Sequence, residues 1–171
     1  VGNDYGTIIN QTGFTYNQIY RNRHQTVMIG TQYQGNTFSA PVQIKCNNYS
    51  LVSAASTDIA ITSGWTLPLN QGSCSSSPSA GANNSFSLCY PPWNPYNNIW
   101  ANPSVGPFSY SYNNGASAPS CRTSQVTAVV CSTAYNPSTS CPSTLVSPCN
   151  PACERIAISN LSSQIAPLQT T

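Results

Sequence analysis

Few side chains in this sequence can move a proton. The acids are Asp4, Asp58 and Glu154, and the one imidazole is His24. A Ser or Cys nucleophile needs a base, usually a His oriented by a carboxylate. His24 stands in "RNRHQ", where its neighbours Arg21 and Arg23 disfavour its protonation, and no Gly-x-Ser-x-Gly occurs. It reads as a solvated loop or edge-strand histidine. Glycoside cleavage needs two carboxyl groups held a few ångströms apart. Asp4 is near a terminus. Asp58 follows Thr57 at a strand entry, where bonding to turn backbone is its ordinary role. Glu154 neighbours Arg155 and reads as half of a surface ion pair. Asp58 with Glu154 is therefore the one pairing that a hydrolase reading can use, and it ranks third among the readings below.

Metal and phosphate chemistry fare no better. One His and paired cysteines cannot supply a transition-metal shell. Three acids are too few for a tight calcium site. No Gly-x4-Gly-Lys-Ser/Thr loop is present. The expectation is no enzyme and no cofactor. A net charge of +2 gives no basic face for nucleic acid and no polybasic membrane patch. No apolar run is long enough to span a membrane as a helix.

What remains is shape. In "CYPPWNPYNNIW", Tyr90, Trp93, Tyr96 and Trp100 recur at three- to four-residue spacing with Pro and Asn between them. Rings of this size dominate cores and interfaces, so core or subunit interface is the first reading. A sugar-stacking platform is the second.

Composition places the chain outside the cell. Charged residues are 5% of the sequence, against roughly 25% in an ordinary soluble domain. The eight cysteines, Cys46, Cys74, Cys89, Cys121, Cys131, Cys141, Cys149 and Cys153, are even in number and mostly sit in Pro/Ser/Asn-rich sequence. They predict a disulfide framework made in an oxidising compartment. The local pairs Cys74–Cys89 and Cys121–Cys131 are the first guesses. The sequence opens on Val1, which points to a mature form whose signal peptide has been removed. Sequons at Asn10, Asn48, Asn83 and Asn160 predict covalent N-linked glycans.

These groups must be positioned by strands. "TVMIGTQY", "PVQIKC", "TDIAITSGWTLPL", "FSYSY" and "CRTSQVTAVVC" alternate with period two and are rich in β-branched or aromatic residues. Asn113-Asn114-Gly115 after "FSYSY" predicts a hairpin. "ERIAISNL" reads as a last strand. No internal repeat stands out. The expected fold is all-β, a disulfide-stapled sandwich of immunoglobulin-like or jelly-roll-like kind with long Pro/Ser/Asn-rich loops.

Residues 1–16 read as an N-terminal arm, with Ile8 and Phe14 in one phase and Ile9 in the other. That pattern suits a strand donated to a neighbouring subunit, or one in its own sheet. Residues 17–171 form the single disulfide-rich domain. The leading expectation is a structural subunit of an extracellular, glycosylated assembly (fibre, pilus-like filament or coat) joined to copies of itself by strand addition. The alternative is a secreted carbohydrate-binding module using Tyr90, Trp93, Tyr96 and Trp100.

Overall fold

A computed structural model describes residues 4–10, 17–34, 42–51, 53, 55–63, 70–89, 92, 95 and 97–143. Within them the chain is all-β. The strands are β1 (Tyr5–Ile9), β2 (Asn17–Tyr20), β3 (Arg23–Gln25), β4 (Ile29–Gln34), β5 (Val42–Lys45), β6 (Asn48–Ser50), β7 (Thr57–Ser63), β8 (Asn70–Gln71), β9 (Ile99–Ala101), β10 (Phe108–Asn114) and β11 (Val126–Ala134). A 3-10 turn at Pro78–Ala80 and one helical turn, α1 (Pro137–Ser140), complete the described elements.

Every strand pair among these residues is parallel. The order β1-β4-β7-β9 forms one wall, and β2-β5 and β3-β6 form two others. The chain passes β1, β2 and β3, then climbs one level to repeat the circuit as β4, β5 and β6. Tyr5 lies opposite Ile29, Ile29 opposite Thr57, and Ile59 opposite Ile99. Single bridges extend the stack, Asn48 to Ser85 and Ile99 to Arg122. Above, β10 lies between β8 and β11. This is a β-solenoid, a coil whose successive turns pair only with their neighbours.

The expected two-sheet sandwich gives way to this coil. Alternation along a strand reports which face is buried; it is silent about the direction of the neighbouring strand. The expected hairpin after "FSYSY" is also corrected. Asn113-Asn114-Gly115 does turn the chain, with Gly115 at φ 90°, but β10 and β11 run parallel and are joined by a longer crossover.

The core is built from columns of stacked side chains. Ile9, Tyr33, Ile61 and Ala101 occupy successive turns in register and are all buried. On the third wall, His24 stacks on Tyr49 with ring centroids 5.1 Å apart, and Tyr49 on Phe86 at 6.2 Å. Phe86 then meets Tyr110 edge-on at 5.5 Å. Stacking like side chains on like is what a parallel coil offers that a sandwich does not.

One corner explains how the turns lock together. Arg21, Cys46 and Asn83 all adopt left-handed backbone (φ 55°, 57° and 50°), and each is followed by an asparagine. Such residues cost about 1–2 kcal/mol each relative to ordinary backbone. The following asparagines offset that with a ladder. The N–H and Nδ2 of Asn22 donate to Asn47 Oδ1 at 2.9 and 3.2 Å. The same two groups of Asn47 donate to Asn84 Oδ1 at 2.8 and 3.1 Å. Asn84 donates from both nitrogens to the Tyr110 hydroxyl, which ends the ladder.

Amide side chains also replace a strand. Among the described residues no full strand pairs above β5; β8 is short and belongs to the upper sheet. Ile44 N–H donates instead to Gln71 Oε1 at 2.9 Å, and Ile44 O accepts from Asn84 Nδ2 at 2.8 Å. Gln71 Nε2 donates to Val42 O, and Gln43 Oε1 accepts from Gly72 N–H. Buried backbone groups must be paired; here the pairs come from side chains.

Three disulfides staple the coil: Cys46–Cys141, Cys74–Cys131 and Cys89–Cys121. The expected local pairs Cys74–Cys89 and Cys121–Cys131 are both wrong. Neighbours in the coil are one turn apart, so bonds form between turns rather than within a short loop. After β11 the chain folds back as a strap along the asparagine corner. Ser140 Oγ meets Asn113 Nδ2, Cys141 bonds Cys46, and Pro142 O accepts from the Tyr20 hydroxyl. Cys149 and Cys153 lie outside the described residues.

Candidate functional site

Asp58 is the first residue to place, because a buried carboxylate is a standard candidate for chemistry. It lies near the start of β7 and is fully buried. The sequence reading put it at a strand entry, bonded to turn backbone; the fold keeps the strand entry and buries the side chain. Its oxygens accept from Ser87 N–H at 2.9 Å, from Ser87 Oγ at 2.6 Å and from Asn98 Nδ2 at 3.2 Å. Ser87 Oγ also accepts from Leu51 N–H, and Asn98 Oδ1 accepts from Cys121 N–H. The carboxylate is thus the hub of a network joining three turns. Desolvation raises its pKa to about 6, against the opposing pull of the Ser87 and Asn98 hydrogen bonds. Fully enclosed, with its oxygens in use, it is built to hold turns together rather than to reach a substrate. Glu154, its expected partner in a hydrolase, lies outside the described residues.

This carboxylate gives the fold a pH signature. The pKa is higher folded than unfolded, so between about 4 and 6 the folded chain holds a proton that the unfolded chain has lost. Stability from this group is present at acid pH and falls as pH rises through 6. A shift of this size corresponds to about 3 kcal/mol at most. His24 acts in the opposite sense: burial lowers its pKa, so its contribution is lost as pH falls below the ordinary histidine range. Asp58→Asn isolates the first effect. In urea unfolding, the wild type should gain about 2–3 kcal/mol relative to that variant on going from pH 7 to pH 4. A difference that does not change with pH contradicts the assignment.

His24 itself is corrected. It is 5% exposed, stacked on Tyr49 and 3.5 Å from Thr31 Oγ1, not a solvated loop residue. Thr31 in turn sits 2.8 Å from the Tyr49 hydroxyl. Among the described residues His24 and Asp58 engage different partners and form no dyad. No group of three or more His, Cys, Asp or Glu side chains is gathered there that could hold a metal ion.

The remaining predicted residues fall into place one by one. Trp100 lies on β9, half-buried, directly opposite Ala60 in register. Tyr90, Trp93 and Tyr96 lie outside the described residues, as do Phe14 and Asn160. Residues 5–9 of the expected arm are a strand of the chain's own sheet, β1, paired with β4. Ile9 points into the core, and Ile8 is 51% exposed. Asn10 and Asn48 are exposed, whereas Asn83 is buried at 3%. A glycan at Asn83 cannot be accommodated without opening the corner.

The ends of the coil are the surfaces that the residue list did not anticipate. At the first turn, β1, β2 and β3 each pair on one side only among the described residues. At the last turn the same holds for β11. A parallel edge strand presents alternate N–H and C=O groups outward. On β1, Asp4 O accepts from Ile29 N–H, so alternation turns the backbone groups of Thr7 and Ile9 away from β4. The asparagine ladder is open at this end too. Among the described residues no group donates to Asn22 Oδ1, the position corresponding to the acceptors at Asn47 and Asn84.

Sequence reasoning missed Asn22, Asn47 and Asn84, although a signal was present. Each follows a residue in a turn-forming stretch, in "RNR", "CNN" and "NNS". Comparison with known proteins adds nothing to the geometry: no family model, curated protein or solved structure matches the chain.

Proposed function

We propose that the chain is a structural subunit of an extracellular assembly, and that its coils stack end to end by strand addition. One observation carries this reading. Every described strand pair is parallel, and both ends of the coil display strands paired on one side only among the described residues. A second copy placed on either end continues every strand in the same direction. Such a contact is head-to-tail and does not close on itself, so it produces a filament rather than a ring or a dimer. Asn22 Oδ1 would receive its donor from the copy below.

Three disulfides and the low charge suit an oxidising, extracellular setting. No helix among the described residues is long and apolar enough to cross a membrane. Glycans at Asn10 and Asn48 would project from exposed positions and coat the filament. Such a subunit works without an active site or a cofactor, and its partner is another copy of itself.

The test uses Thr7→Pro. Proline removes the outward N–H of Thr7 and puts ring atoms in the path of a stacked strand, while the bonds from β1 to β4 use the other phase. The wild type should form filaments on concentration, seen by light scattering and negative-stain microscopy. Thr7→Pro should stay monomeric with a cooperative thermal transition. Filaments of unchanged yield from the folded variant, or a wild type that remains monomeric at all concentrations, overturn the proposal.

A further inference from the structure

The corner that carries the asparagine ladder also encloses a cavity of about 280 Å³. Its lining includes Arg21, Arg23, Asn48, Asn83 and, from the returning strap, Tyr135. The Cys46–Cys141 bond forms part of the wall. No carboxylate is among its described lining residues. Two arginines therefore border a shared space with no acid among its described lining residues.

Asn83 supplies the second observation. It is 3% exposed, and its Oδ1 accepts from Asn113 N–H at 2.9 Å. That bond fixes the orientation of the amide, since a flipped group would set two donors against each other. The nitrogen Nδ2 is then buried, and no hydrogen-bond acceptor is found for it among the described residues. Native proteins seldom leave such a donor unmet. It sits in a residue that lines a cavity whose charged groups are both donors, in left-handed backbone the chain has gone out of its way to adopt.

We infer that this cavity is a binding site for an oxyanion carried on a small polar group, such as the carboxylate or sulfate of an acidic monosaccharide unit. Guanidinium forks match the paired oxygens of carboxylate and sulfate. The Asn83 amide adds a buried donor. The volume exceeds one inorganic ion and lies at the small end of ligand pockets, which suits a single sugar unit rather than a chain. Ser85 adds a neutral polar group to the lining.

Isothermal titration of the full chain with sodium glucuronate, sodium sulfate and glucose, at fixed ionic strength, tests the site. Glucuronate should bind saturably and glucose should not. Sulfate binding as tightly as glucuronate would assign the affinity to the oxyanion alone; tighter glucuronate binding would assign part of it to the sugar ring. Either result supports the site. Arg21→Gln with Arg23→Gln should weaken binding at least tenfold while leaving the thermal transition in place. Asn83→Asp keeps the acceptor for Asn113 and places negative charge on the cavity wall, so it should also abolish binding. Absence of saturable binding by both anions, or equal binding by wild type and the folded double-arginine variant, overturns the inference.

Discussion

Replacing Asn84 by alanine should destabilise the fold by about 4 kcal/mol, near the upper end of what single substitutions do. Asn84 accepts from two groups of Asn47 and donates to Ile44 O and to the Tyr110 hydroxyl. Alanine leaves Asn47 N–H and Ile44 O without these partners in a buried corner. Each orphaned buried group costs about 1–3 kcal/mol, and the ladder loses its direct link between turns as well. Asn22→Ala is the control. It removes the same amide from the exposed end of the same ladder, where water takes its place, and should cost about 1 kcal/mol or less. Urea unfolding followed by circular dichroism measures both. Equal, small effects at the two positions would show that the ladder does not lock the turns.

Removing the Cys46–Cys141 bond should be comparably severe. The bond joins residues 95 apart in sequence, and cross-linking a loop of that length is worth about 4–5 kcal/mol through the unfolded chain alone. Its loss also frees the strap, held otherwise by Tyr20 on Pro142 and by Asn113 on Ser140. The Cys89–Cys121 bond spans 32 residues, and loop length alone makes it about 1 kcal/mol less valuable. Cys46→Ser with Cys141→Ser should therefore lower the guanidinium midpoint more than Cys89→Ser with Cys121→Ser. The reverse order would mean that the strap contributes little to the corner.

Much of the strand content was legible in the sequence. "PVQIKC", "TDIAITS" and "FSYSY" alternate, and they became β5, β7 and β10. Their mutual arrangement was not legible. A buried strand with one face inward has the same period in a coil as in a sandwich. The turns of this coil are unequal in length, so neighbouring levels leave no fixed spacing to find. The disulfide pairing depends on which residues are one turn apart, and that is known only once the coil is. His24 was misplaced, and the burial of Asp58 unforeseen, for a related reason. A polar residue in a charge-poor sequence reads as surface, yet here ring stacking on Tyr49 and the Ser87–Asn98 hydrogen bonds make burial favourable. The asparagines were read as loop formers and sequons. Asn84 is instead a structural strut, and Asn83 a buried corner residue.

Fibre diffraction from oriented, concentrated native protein tests the central claim most directly. Coils stacked end to end place every strand across the filament axis, so a strong meridional reflection should appear at about 4.7–4.9 Å, the spacing between paired strands. A fibre whose strand spacing lies on the equator, or a sample that yields only isolated particles, would contradict assembly through the coil ends.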